Sequence, residues 1–385
     1  MHSNHTALQT AQVRVSRFDG EQVTEFHLFA EPTIGETLKD QLNSLIGGVD
    51  SFFGQNRLTA DDIMFQRLFV SDYSNQSDII DRDYPFSGHG SLSIVQQPLL
   101  NGKKVGLWMY AVKASASPIP RKVSANECSW THNGYTHRFH HQLTDGIRTE
   151  DPLTQTSNVF AKYIGLLKEH GLNLYEHCIR TWLFVRDVDN NYADVVTARN
   201  QIFDTQGLTK ETHFIASTGI EGRHADPKVK LIMDAYAVQG LQAGQVSFLE
   251  ATSHLNPTHE YGVAFERATA VDYGDRRHIF ISGTASIDHK GDIVHVGNIE
   301  GQIRRTFENI GALLAKAEAR PDDLVAMVVY LRDTADYQTV KNYLRSNYAH
   351  VPYAIVWAPV CRPGWLIEIE GIAIKKINAP QYISF

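Results

Sequence analysis

Ile310–Asp333 reads IGALLAKAEARPDDLVAMVVYLRD. A helical end with Ile310, Leu313 and Leu314 on one side runs into an acidic turn, then into a strand of almost unbroken apolar residues that stops at Asp333. The same pattern occurs twice upstream. IGLLKEHGLNLYEHCIRTWLFVRD covers Ile164–Asp187, and LIGGVDSFFGQNRLTADDIMFQRLFVSD covers Leu45–Asp72. From glycine to closing aspartate the distance is 22 residues for Gly311–Asp333 and for Gly165–Asp187, and 25 for Gly47–Asp72. A repeat of this length means one supersecondary unit used three times, and it governs every later inference about the fold.

A second landmark follows each copy. KKVGLWMYAV ends at Val112, VKLIMDAYAV at Val238 and WLIEIEGIAI at Ile374, all reading as long strands. A helical stretch separates the landmarks, as in NYADVVTARNQIF and DYQTVKNYLRSNY. Strand pairs precede each copy, the clearest being RHIFISGTASID and GDIVHVGN around an HKGD turn. Each unit therefore reads strand–strand–helix–strand–helix–strand–strand, an α+β module with a mixed sheet and two helices on one face. The Ser/Pro-rich KASASPIPRK and the Gly/Gln-rich QGLQAGQ place the modules at 1–117, 123–243 and 247–385.

Repeats allow one module to serve as a control for another. Aligning the closing strands on Ala111, Ala237 and Ala373 puts Gly106, Ile232 and Glu368 in one column and Trp108, Asp234 and Glu370 in another. Only the third module has an acid in the first column, so no shared structural need explains Glu368. Both glutamates lie on one face of the strand. On a wet outer face they would be ordinary solvated charges. In a cleft walled by Trp365 and the sheet, Glu368 would have its pKa raised towards neutrality and become a general acid, with Glu370 orienting it or facing water. Cys361 precedes Glu368 by seven residues and is followed by Arg362. Arg362, Arg332 and Lys341 are candidate anchors for an anionic substrate.

Bulk properties limit the alternatives. The 385 residues carry a net charge of −7, which disfavours a nucleic-acid partner. No run of eighteen apolar residues suggests a membrane span, and MHSNHTALQTAQ has no apolar signal core, so a cytoplasmic location is expected. Cys128, Cys178 and Cys361 are far apart without a C-x-x-C pair, which argues against disulfides and zinc. THRFHH (136–141) lacks convergent ligands for a metal, and its histidines read as packing; His254 and His259 fall in a Pro-containing loop. SGTAS lacks the lysine of a phosphate loop. Neither a metal nor a cofactor is expected.

The third module, ISGTASID…GDIVHVGNIEGQIRRTFENIGALL…VVYLRD…CRPGWLIEIEGIAI, resembles the YjgF/Rid superfamily, once labelled endoribonuclease L-PSP or translation initiation inhibitor, over roughly residues 277–376. RTWLFVRD, ASTGI, YGVAFERA, SGTAS and CRP…EIEG make the whole layout similar to its chorismatase-like branch. The resemblance implies Rid-like (chorismate-mutase-like) modules arranged as a pseudo-trimer, with the site in an intermodule cleft of the third module. The chain would be a monomeric pseudo-trimer or a homo-oligomer of it. It implies Glu368 as the acid that protonates the enol ether of chorismate or a related small carboxylate, with release of pyruvate. Cys361 and Ala285 would line the pocket, Cys361 marking the hydroxybenzoate-forming subtype, and Arg267 and Tyr261 would help bind the substrate. Two positions depart from that branch. Val263-Ala264-Phe265 follows Tyr261-Gly262 where an arginine is expected, and Lys341 replaces an arginine. Rid enamine/imine deaminases carry an arginine fifteen residues before the glutamate; Tyr353 stands there. A non-catalytic array that binds metabolites or a partner is the reading from a different class.

Overall fold

The computed structural model describes residues 11–147 and 151–385; the side chain of Tyr261 lies outside the described residues. Three sheets follow one another along the chain. The first contains β1 (Ala11–Asp19), β2 (Val23–Pro32), β3 (Ile63–Val70), β4 (Ser91–Gln96) and β5 (Val105–Ala114), with α1 (Leu38–Asn56) and α2 (Tyr73–Asp83). The second contains β6 (Arg121–Val123), β7 (Glu127–His132), β8 (Tyr135–Leu143), β9 (Cys178–Val185), β10 (Ala216–Glu221) and β11 (Leu231–Gln239), with α3 (Pro152–Glu169), α4 (Leu174–His177) and α5 (Val188–Thr205). The third contains β12 (Val246–Leu249), β13 (Ala268–Asp272), β14 (Arg276–Ala285), β15 (Leu324–Leu331), β16 (Tyr353–Trp357) and β17 (Ile367–Lys376), with α6 (Ile299–Lys316) and α7 (Tyr337–Asn347).

Strand orders are β1-β2-β5-β3-β4, β10-β9-β11-β8-β7-β6 and β12-β13-β14-β17-β15-β16. Apart from the added edge strands β6 and β12 they are one topology, as the repeat requires. The three apolar strands β3, β9 and β15 are buried at every residue. One face of each lies under its own helices. In α6, Ile303, Phe307, Ile310 and Leu314 form that buried stripe at helical spacing. Asn298 caps the helix start through its side chain, as Asp151 does for α3 and Thr37, in a capping box with Asp40, for α1.

The opposite faces meet at the centre of the molecule. Phe65 lies 4.9 Å from Phe139 and Phe139 4.5 Å from Tyr236, ring centre to ring centre, and Tyr236 reaches Phe280 at 5.4 Å, so the three sheets share one aromatic core. The edge strands close a ring. Gln96 at the end of β4 exchanges backbone hydrogen bonds with Arg223 of the second module (2.9 and 3.4 Å), the Glu221 N–H at the end of β10 donates to Pro359 O of the third (3.2 Å), and Leu100 N–H of the first donates to Ile355 O of β16 (3.1 Å). The modules are thus related by a pseudo-threefold arrangement within one chain.

One sequence expectation holds only at its tip. GDIVHVGN meets RHIFISGTASID beside the HKGD turn alone, through the Ile287–Ile293 bridge, where Val294 N–H donates to Ser286 O (3.2 Å) and Asp288 N–H to Asp292 O (3.1 Å); along its own length β14 is held between β13 and β17. Both edges of β14 are taken, and left-handed residues at Gly291, His295 and Gly297 break any extended run.

Candidate active site at the junction of the second and third modules

The opening column alignment matches the strand register. Gly106, Ile232 and Glu368 lie opposite Phe69, Phe184 and Tyr330, each three residues before the closing aspartate of its module. Trp108, Asp234 and Glu370 lie opposite Arg67, Trp182 and Val328. The two glutamates nevertheless have different tasks.

Glu370 does not face water and does not line the Glu368 cavity. It is 4% exposed and sits in the central core, 2.8 Å from Arg180, with a hydrogen bond from Trp182 Nε1 (3.0 Å) and Arg67 at 3.7 Å. Arg67 in turn holds Asp234 at 2.9 Å. The second column therefore supplies acids to an intermodule ion-pair network, and the arginines come from β3 and β9. An outer, solvated sheet face is excluded for both glutamates.

Glu368 faces a cavity of about 330 Å³ between the second and third modules. It is 5% exposed, and its pKa is raised to about 8, chiefly by burial and next by the charge of Glu370, against the opposing pull of Arg180 and Arg267. At neutral pH it is a protonated acid. The carboxyl group lies over Gly283 of β14, where a Cβ would fall 2.1 Å from Glu368 Oε1. Gly283 N–H donates to Thr218 Oγ1 of β10 (2.9 Å) and Ser217 N–H to Ser282 Oγ (2.9 Å), which stitches the two walls together. Gly283→Ala is expected to move the carboxyl group and to cost tenfold or more in any turnover the site supports, with little change in melting temperature because only a side-chain end is displaced; steady-state rates and thermal unfolding of the variant check this.

Several predicted residues converge here. Arg267, Ala285, Cys361, Arg362 and Trp365 line the same cavity as Glu368. Arg267 is buried, hydrogen-bonded to Asn256 O at 2.9 Å. Arg362 stacks over Trp365 at 4.8 Å. Burial raises the Cys361 thiol to about 12, with the Glu368 charge adding to it, so Cys361 is a neutral wall residue rather than a nucleophile. Tyr261 ends the turn Thr258–Tyr261, and its side chain lies outside the described residues.

Two predicted anchors are elsewhere. Arg332 forms an ion pair with Asp189 at the start of α5 and does not line the cavity. Lys341 lies on α7, over Tyr337 at 5.3 Å, in a different cleft between the third and first modules. Each module has two unlike sides, so α7 and β16 of the third module serve the junction opposite to that of Glu368. For the same reason Tyr353 is not the residue that faces Glu368. Its counterpart is Ser217, since Ser217 pairs with Thr181 as Tyr353 pairs with Met327. Neither position holds an arginine.

Sequence reasoning missed the wall donated by the second module: Tyr192, Arg199, Ser217 and Gly219. Arg199 is 1% exposed on α5, on the buried stripe with Val195 and Phe203. An arginine at a stripe position is the signal that could have revealed it. With Arg267 and Arg362 it makes three guanidinium groups around one protonated acid.

Residues 263–375 match the family model described as endoribonuclease L-PSP. A RutC family protein of Pyrococcus abyssi is 34% identical over 100 residues, covering 26% of this chain and 79% of that relative. The chain belongs to the RutC family of YjgF/Rid proteins. Other relatives are the 3-aminoacrylate deaminase RutC of Acinetobacter baylyi, 30% identical over 97 residues (25% of this chain, 77% of that one), and human 2-iminobutanoate/2-iminopropanoate deaminase, 30% identical over 116 residues (29% and 80%). These matches span a single module. Over the whole chain, a crystal structure of chorismatase superposes with a TM-score of 0.65 at 18% identity, covering 92% of this chain and 99% of that one, so the three-module fold is the chorismatase fold. Among the described residues no helix is long and apolar enough to cross a membrane.

Proposed function

We propose that the chain is a chorismatase-like lyase or hydrolase acting on chorismate or a related small cyclic carboxylate with an enol-ether side chain. The observation that carries this reading is a buried, protonated Glu368 facing an intermodule cavity beside Arg199, Arg267 and Arg362. An enol ether is nucleophilic at its terminal carbon. Glu368 gives its proton to that methylene carbon, and the cation that forms is shared between the former vinyl carbon and the ether oxygen. With water as co-reactant the products are pyruvate and the dihydroxylated ring acid. Without net water, loss of ring protons gives pyruvate and a hydroxybenzoate. Either sum balances without an oxidant or a cofactor. The substrate's two carboxylates match arginines better than lysines, because a guanidinium binds a carboxylate through two parallel hydrogen bonds. Arg199 also offers a replacement for the arginine absent after Tyr261-Gly262.

Purified protein incubated with chorismate tests the reading through pyruvate release and identification of the ring product. Absence of pyruvate with wild-type protein overturns it. Arg199→Met is expected to raise KM tenfold or more, by loss of a charged hydrogen-bonded contact worth about 1.5–3 kcal/mol, while Arg332→Met and Lys341→Met leave KM within twofold. Steady-state kinetics on the three variants separates them. The deaminase reading is weaker, since Ser217 stands where that chemistry would place its carboxylate-binding arginine.

A further inference from the structure

The pseudo-threefold ring contains a second cleft equivalent to the first. It lies between the third and first modules and measures about 470 Å³. The equivalence holds residue by residue. Tyr353 and Ile355 of β16 occupy the places of Ser217 and Gly219 on β10, by strand pairing. Arg345 stands twelve residues after Asp333, as Arg199 stands twelve after Asp187. Leu99 precedes Gly106 by seven residues, as Cys361 precedes Glu368. Arg14 of β1 lies across from Phe29, close to the place of Arg267, whose carbonyl accepts from Ser282 N–H. Two of the three arginine positions are thus retained, and the acid position is Gly106.

The local chemistry is that of an anion receptor without a proton donor. Arg14, Lys341 and Arg345 face one carboxylate, Glu31, which is occupied by Arg14 at 3.9 Å and by Asn101. The Arg14 guanidinium stacks over Tyr353 at 4.3 Å, and its Nε is buried without a hydrogen-bond partner among the described residues. Phe29, Tyr337 and Tyr353 supply flat apolar walls.

We propose that this cleft binds a small aromatic carboxylate and performs no chemistry on it. The carboxylate is held by Lys341 and Arg345 at the rim and the ring packs among the tyrosines and Phe29. The site stands independently of turnover at Glu368.

The test uses full-length protein and 4-fluorobenzoate followed by fluorine NMR. The expected result is a bound resonance that weakens at least tenfold in affinity in the Lys341→Ala/Arg345→Ala double variant, both substitutions being on the outer part of α7, and persists in Arg199→Met and in Glu368→Gln. Chorismate turnover, if present, is unchanged by the double variant. No bound resonance, or bound resonances indifferent to the α7 substitutions, overturns the proposal. Loss of turnover alone bears only on the first cleft.

Discussion

Glu368→Gln should abolish pyruvate release, by 10²-fold or more, while making the protein more stable at alkaline pH. The two effects have one cause. Gln cannot donate a proton to carbon, and removal of a general acid costs about 10²–10⁴ in rate. The wild-type carboxyl is held protonated, so its rate should be flat through neutrality and fall about tenfold per pH unit above about 8. Unfolded, the group titrates near 4.5; folded, near 8. Between those values the folded chain keeps a proton that the unfolded chain has released. Stability therefore declines as pH rises through that window and the loss is complete above it. Gln carries no such penalty, so the variant should gain on the order of 5 kcal/mol over wild type at pH 9 and almost nothing at pH 4. Denaturant unfolding at the two pH values checks this. A variant that is inactive and equally destabilised at both would remove Glu368 from the role assigned to it.

Arg180→Met should destabilise the chain by about 3–5 kcal/mol, the largest loss expected from any single substitution in the centre. Arg180 is 2% exposed and is the nearest cation to Glu370, and its NH1 also donates to Ser282 Oγ at 3.3 Å. Methionine fills much of the volume but leaves Glu370 buried with no charged partner nearer than Arg67, and only neutral donors such as Trp182 Nε1 and the Tyr330 hydroxyl beside it. The double variant Arg180→Met/Glu370→Gln should recover most of the loss, because the stranded charge and not the missing contact is what costs. Because Arg180 lowers the Glu368 pKa, the single variant should also shift the alkaline limb of the pH–rate profile upward. A single variant as stable as wild type would show that the pair contributes little.

Much of this was legible in the sequence because repeats carry their own alignment. The three closing strands, compared with one another, isolated Glu368, and strand register places it where the columns did. Cys361, Arg362 and Trp365 followed because they adjoin it on the chain. What the sequence concealed was which side of a module meets which neighbour. Arg332 and Lys341 are near Glu368 in sequence, yet Arg332 is taken up by Asp189 outside the cavity and Lys341 faces another junction, while Arg199, some 170 residues away, completes the cavity. The role of Glu370 was hidden for the same reason, since its partners Arg67 and Arg180 come from two other modules. GDIVHVGN reads as a strand by composition, but a strand needs a free edge, and β14 has none to offer.

The ring closed by three unlike modules also changes what a substitution means. In an assembly of identical subunits every replacement is made three times, and a buried acid with an unfavourable charge is suffered threefold. Here the burden of Glu368 falls once, Gly106 and Ile232 sparing the other two junctions. Fusion into a single polypeptide thereby releases each junction to drift on its own, so that one can specialise while its siblings keep the ring intact.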